Sequence, residues 1–139
     1  MKLNTFFTMI LLSCLCANTN AGGSKAELEK FVGTWTGEYA HTNNSRKDSW
    51  VQTRKADGTF KLVYKSYQYS VLSSTEINEG TWWVEGVHFY EKQSGKHDQA
   101  DKYLYQFIGA NKIKFTEIST DKKTSELIHG YSFIDTRLE

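Results

Sequence analysis

The chain has 139 residues, 17 basic and 16 acidic side chains and a formal net charge of +1. That length gives one domain with its own core, not two. The balanced charge lacks the basic excess that a nucleic-acid partner calls for, so none is expected.

In chain order, Met1-Lys2 gives a positive start, Phe6 to Leu15 is an apolar run, and Thr19-Asn20-Ala21 is a small-residue cleavage pattern. Together they read as a signal peptide over residues 1–21, leaving residues 22–139 as an exported domain, periplasmic or secreted. The apolar run is too short for a stable membrane span. A rival pattern, Leu11-Leu12-Ser13-Cys14, is that of a bacterial lipoprotein signal, with Cys14 as the lipid anchor. Soluble export is the preferred reading. Both cysteines, Cys14 and Cys16, fall in this segment, so the exported domain would have no disulfide and would depend on its core. Removal of Lys2 would also bring basic and acidic residues level.

Ser24 and Glu27 have capping-box spacing and predict one helical turn leading into Phe31. Phe31 to Tyr39 then alternates cleanly, with Phe31, Gly33, Trp35, Gly37 and Tyr39 on one face, as a half-buried strand does. Glycine weakens a strand and is kept where the chain bends or a neighbour comes close. Trp35 between two such glycines therefore reads as the corner of a small, strongly curved barrel. Asp48 to Lys55 is a second strand with Trp50, Gln52 and Arg54 together, and Asp57-Gly58 is a hairpin turn signal. Thr59 to Tyr69 follows, with Phe60, Leu62 and Tyr64 on one face and Lys61, Val63 and Lys65 on the other. Val71 to Asn78 fits either a short strand or a loop across the barrel mouth. Gly80, Trp82 and Val84 alternate next, then Glu85-Gly86 turns into Val87 to Glu91. Gln93 to Lys102 reads as a polar loop. Tyr103, Tyr105 and Phe107 align in a further strand, and Ile113 and Phe115 in the one after. Asp121-Lys122-Lys123 is the last turn, and Leu127 to Leu138 closes the chain with Tyr131 and Phe133 on one face. The run Ser45-Arg46-Lys47 and the pair Lys122-Lys123 read as solvated turns rather than binding patches.

About eight strands joined by short turns predict an all-β, antiparallel up-and-down meander, a barrel or a sandwich. Closure is favoured, because the inward faces are crowded with rings and closing the sheet removes its exposed edges. The opening Phe31-Val32-Gly33-Thr34-Trp35, after a helical turn, resembles that of the calycins, the superfamily of lipocalins, fatty-acid-binding proteins and avidins. The later Asp57-Gly58-Thr59-Phe60 and Gly80-Thr81-Trp82 resemble small bacterial lipocalin-like exported proteins. The resemblance implies a lipocalin-like barrel, with Trp35 closing one end and Arg137 stacked over its ring. The short His41 to Lys47 connection leaves no room for the helical lid of fatty-acid-binding proteins. The later Trp-Lys pair of avidins is also missing, so neither family's ligand residues carry over.

For chemistry, His41, His88, His97 and His129 are scattered without metal-ligand spacing, and no nucleophile elbow or phosphate loop occurs. A non-enzymatic protein without metal or cofactor is therefore expected. The alternation points Tyr39, Trp50, Tyr64, Trp82, Tyr103, Tyr105 and Tyr131 inward. Each offers an apolar body with one polar handle, which suits a small amphipathic or aromatic ligand inside the barrel. An eight-stranded barrel can equally be solid, and the sequence leaves both open. Two alternatives stand beside the ligand carrier. One is a protein-binding module of the cell envelope, an inhibitor or assembly factor, docking through outward Tyr67, Tyr69 and Trp83 on a solid barrel. The other is a haem-binding barrel, because Leu127-Ile128-His129 and the first strand resemble nitrobindin-like proteins, whose last strand supplies a proximal histidine.

Overall fold

The computed structural model describes residues 23–42, 45–96, 98–120 and 127–139. The signal-peptide and Cys14 readings, the turn at Asp121 to Lys123, and His97 lie outside the described residues.

Eight antiparallel strands in sequence order close into an up-and-down barrel. They are β1 (Gly33–Ala40), β2 (Arg46–Arg54), β3 (Thr59–Gln68), β4 (Val71–Glu85), β5 (His88–Gln93), β6 (Asp101–Phe107), β7 (Lys112–Thr120) and β8 (Leu127–Arg137). Among the described residues one short helix, α1 (Lys25–Glu29), precedes them, and the Ser24 hydroxyl accepts from the Glu27 amide at 3.2 Å as its cap. The ladder between β1 and β2 runs from Gly33↔Arg54 to Ala40↔Lys47. The closing ladder is far shorter: β1 meets β8 at Trp35↔Arg137 and Thr36↔Thr136.

The inward face is apolar at one end. Helix α1 delivers Phe31, fully buried, into a nest of rings: Tyr105 at 4.9 Å, Phe107 at 5.0 Å, Phe89 at 5.4 Å and Trp82 at 6.0 Å between centroids. Trp35, also fully buried, seals the same end, its indole N–H donating to the Phe31 carbonyl at 2.8 Å. The Arg137 guanidinium stacks over that indole at 4.2 Å and donates to the carbonyls of Val32 and Lys30, both at 2.7 Å. The stack explains the glycine before Thr34. Gly33 sits at φ +130°, where a side chain is strained, and a Cβ there would run into the Arg137 guanidinium.

Gly37 has a different reason. A Cβ there would overlap the Trp50 indole and come within 2.9 Å of the Ile134 carbonyl. Gly37→Ala should therefore cost about 1–3 kcal/mol, as overpacking of a tight site does. Urea melts of the two proteins check it, and an alanine variant as stable as the parent would mean that Trp50 does not lie across this strand.

Val71 to Asn78 is strand, not loop. It forms the first half of the 15-residue β4 and pairs with β3 down to Gln68↔Val71. The hairpin between them turns on Tyr69 and Ser70, both at positive φ (50° and 65°).

Candidate functional site

The barrel is hollow towards its other end. A cavity of about 510 Å³ opens there, with one aromatic wall and one polar wall. The aromatic wall is a chain of rings in mutual contact. Tyr39 packs on Tyr131 at 5.4 Å, Tyr131 on Phe133 at 5.7 Å, and Phe133 on Trp50 at 5.2 Å and Tyr103 at 5.7 Å; Trp50 stacks on Tyr64 at 6.3 Å. Inward positions of β1, β2, β3, β6 and β8 supply them.

The polar wall comes from β2, β4 and β5. Gln52 donates its amide to Glu91 at 2.7 Å, and Asn78 and Gln93 line the same side. Gln93 Oε1 is buried and makes no hydrogen bond among the described residues. Glu91 lies deep in the barrel, and burial pushes its carboxyl up to about 7, against the opposing pull of Arg54 and Gln52. It therefore titrates around neutrality.

Below the cavity lies a buried ion pair, Arg54 to Asp135 at 2.7 Å, with the two side chains 2 % and 0 % exposed. Asp135 also accepts from the Trp50 indole at 2.8 Å. The Arg54 guanidinium lies over Phe89 at 5.0 Å, Phe115 at 5.1 Å and Trp35 at 5.9 Å. Its positive charge is thus met by one carboxylate and three ring faces.

A second polar cluster stands at the rim. Asp48, buried, accepts from His41 Nε2 at 2.8 Å and from Arg46 Nε at 3.1 Å. Burial alone would raise its pKa, but hydrogen bonds from His41, Ser66, Tyr64 and Arg46 outweigh that and hold it at about 2. Burial, then the Asp48 hydrogen bond, pushes the Tyr64 hydroxyl well above the usual phenol range, so it stays a neutral donor. A carboxyl whose pKa is lower folded than unfolded stabilises above its unfolded value and loses that as pH falls through the folded value. Asp48 should therefore contribute about 2 kcal/mol at neutral pH, lost between about pH 4 and pH 2. Urea titrations at pH 7 and pH 3 of the parent and Asp48→Asn check it: the variant should start less stable and lose less on acidification.

Of the residues expected inside, Tyr39, Trp50, Tyr64, Tyr103 and Tyr131 line the cavity. Trp82 and Tyr105 do not. Both face inward but sit at the sealed end. Trp82 stacks on Phe89 at 5.9 Å, meets Phe31 at a tilt at 6.0 Å, and donates to the carbonyls of Lys55 and Thr59, both at 3.2 Å. Tyr105 packs edge-on to Phe31 with its hydroxyl on Glu27 at 2.6 Å. His129 is exposed on β8 and takes no part in the cavity wall. Tyr67, Tyr69 and Trp83 form no common patch: Tyr67 pairs with Leu72 at one end of β4, while Trp83 stacks on Tyr90 at the other. Sequence reasoning passed over Gln52, Arg54, Glu91 and Gln93 as site residues. The signal was present in Trp50, Gln52 and Arg54, three residues of one inward face, two of them polar.

No helix among the described residues is long and apolar enough to cross a membrane. No group of three or more His, Cys, Asp or Glu side chains among them is placed to hold a metal ion. What the site offers is an enclosed, half-aromatic and half-polar space. Comparison with protein-family models, with curated proteins and with solved structures finds no match for the chain.

Proposed function

We propose that this is an exported, non-enzymatic binding protein that holds a small, partly apolar molecule inside a lipocalin-like barrel. The observation that carries the reading is the cavity of about 510 Å³, within the roughly 300–1,000 Å³ of small-molecule sites. Its make-up fits the task. Rings from five strands give apolar contact area, and a few polar groups on the opposite wall fix orientation. The sealed end, with Trp35 under Arg137, supports the calycin kinship that the Gly-x-Trp opening suggests.

Native mass spectrometry of the protein purified from its own host tests this. A noncovalent adduct of a few hundred daltons, lost on denaturation, is the expected result. A bare protein that also fails to change its Trp50 fluorescence with any small amphiphile would overturn the carrier. The same spectrum reads the mass of the N-terminus, and with it removal of residues 1–21 or a lipid on Cys14.

A further inference from the structure

The cavity's charges are unevenly answered, and the imbalance names a ligand class. Among the described residues four basic side chains, Arg54, Arg46, His41 and Lys96, line it, and each faces an acidic partner. Arg54 meets Asp135 at 2.7 Å, Arg46 and His41 share Asp48, and Lys96 meets Glu76 at 2.8 Å. Glu91 is different. Among the described residues no basic side chain forms an ion pair with it, and its hydrogen-bond partner is the neutral Gln52 amide. Across the β5–β6 ladder it stands directly opposite a second carboxylate, Asp101, which also lines the cavity. Like charges in that relation repel. Close by lies the orphaned acceptor Gln93 Oε1, two residues along β5.

Arg54 does not turn the site into one for anions. It is 2 % exposed and already neutralised, and its Nε and Nη1, which make no hydrogen bond among the described residues, belong to a guanidinium laid against the rings of Phe89 and Phe115. A carboxylate arriving there would meet the charge of Asp135, 2.7 Å from the guanidinium, and that of Glu91, which Arg54 also attracts. A cation arriving at Glu91 meets a carboxylate with no ion-pair partner among the described residues, an amide oxygen in need of a donor, and a cavity whose other wall carries the rings of Tyr103, Phe133 and Tyr131. These are the three contacts an alkylammonium group takes: ion pair, hydrogen bond and cation–π.

We propose that the cavity binds an organic cation, a primary amine on an aromatic or apolar body, with its ammonium at Glu91 and its body along the ring wall from Tyr103 to Tyr39. This rests on the carrier reading and adds the sign of the ligand's charge.

Three probes of one size separate the possibilities by calorimetry at pH 8: 2-phenylethylamine, 2-phenylethanol and 3-phenylpropionate. The amine should bind at least about tenfold more tightly than the alcohol, with the acid weakest. Glu91→Gln should remove that preference, the amine losing about tenfold more affinity than the alcohol. Equal binding of all three, or preference for the acid, would overturn the cation and leave the carrier standing. Binding by none of them would overturn the cation, and the host-purified spectrum would then decide the carrier separately.

Should Glu91→Gln not fold, the parent's pH profile answers. Amine affinity should fall about tenfold from pH 8 to pH 6 as Glu91 takes its proton, since an alkylammonium stays charged throughout. The alcohol should show no such fall. The groups around Glu91 in that profile are Arg54 from β2, Asp101 and Tyr103 from β6, and Tyr131 and Asp135 from β8, with His41 at the rim. The tyrosines keep their protons there, because burial raises both. A flat profile for the amine would sink the proposal outright.

Discussion

Trp35→Ala is expected to cost about 3–5 kcal/mol, as large-to-small changes in a packed core do. Three losses coincide. The cavity left by an indole that is 0 % exposed cannot collapse, because it is framed by strand backbone and the Arg137 guanidinium. The Phe31 carbonyl loses a buried donor at 2.8 Å, and Phe31 is the plug that α1 sets into the sealed end. Arg137 loses the ring on which it lies while still donating to Val32 and Lys30. For a domain of this size each kcal/mol shifts the melting point by roughly 3–5 °C, so a drop of about ten degrees or more should appear in a thermal melt. Trp35→Phe should fall between the two, keeping a ring but losing the N–H. An alanine variant melting within a degree or two of the parent would mean that the indole is not what closes the barrel.

How much of this was legible beforehand depends on what each residue's pattern encodes. Alternation tells which side of a strand faces in, and over β1, β2 and β3 it did so correctly, down to Trp50, Gln52 and Arg54 sharing a face. It does not encode height along the barrel axis. Trp82 and Tyr105 read as cavity lining for that reason, although Phe31 and α1 fill the end where they point. Nor could alternation find the first half of β4. Val71 to Ile77 is exposed at every position, so no buried face leaves a trace. Its hairpin is also unmarked, for Tyr69-Ser70 adopts positive φ without the Gly or Asn that usually signals such a turn. The hollow was invisible for another reason. Whether facing rings meet or leave a gap depends on barrel closure, and polar side chains such as Glu91 and Gln93 look like surface until the sheet has wrapped around them.

The Arg54–Asp135 pair leads to the second large effect, in stability rather than binding. Asp135→Asn should cost about 3–5 kcal/mol, because it leaves a guanidinium 2 % exposed without its counter-charge. Arg54→Met should cost a similar amount by stranding the carboxylate. The double variant Arg54→Met with Asp135→Leu removes both charges and keeps bulk in the core, so it should be more stable than either single change. Chemical denaturation of the four proteins gives that coupling directly, and simply additive losses would show that the two side chains do not act as a pair. The position of the pair explains why so much hangs on it. The seam where β1 meets β8 has two registered residue pairs, against eight between β1 and β2. Asp135 reaches past β1 to take Trp50 and Arg54 of β2, so it clasps β8 to the sheet where the ladder is shortest. The single variants should therefore open the barrel at that seam first. Amide exchange at Thr36 and Thr136 should quicken before exchange in the long β2–β3 ladder, and uniform acceleration across all strands would show that the clasp serves the whole core rather than the seam.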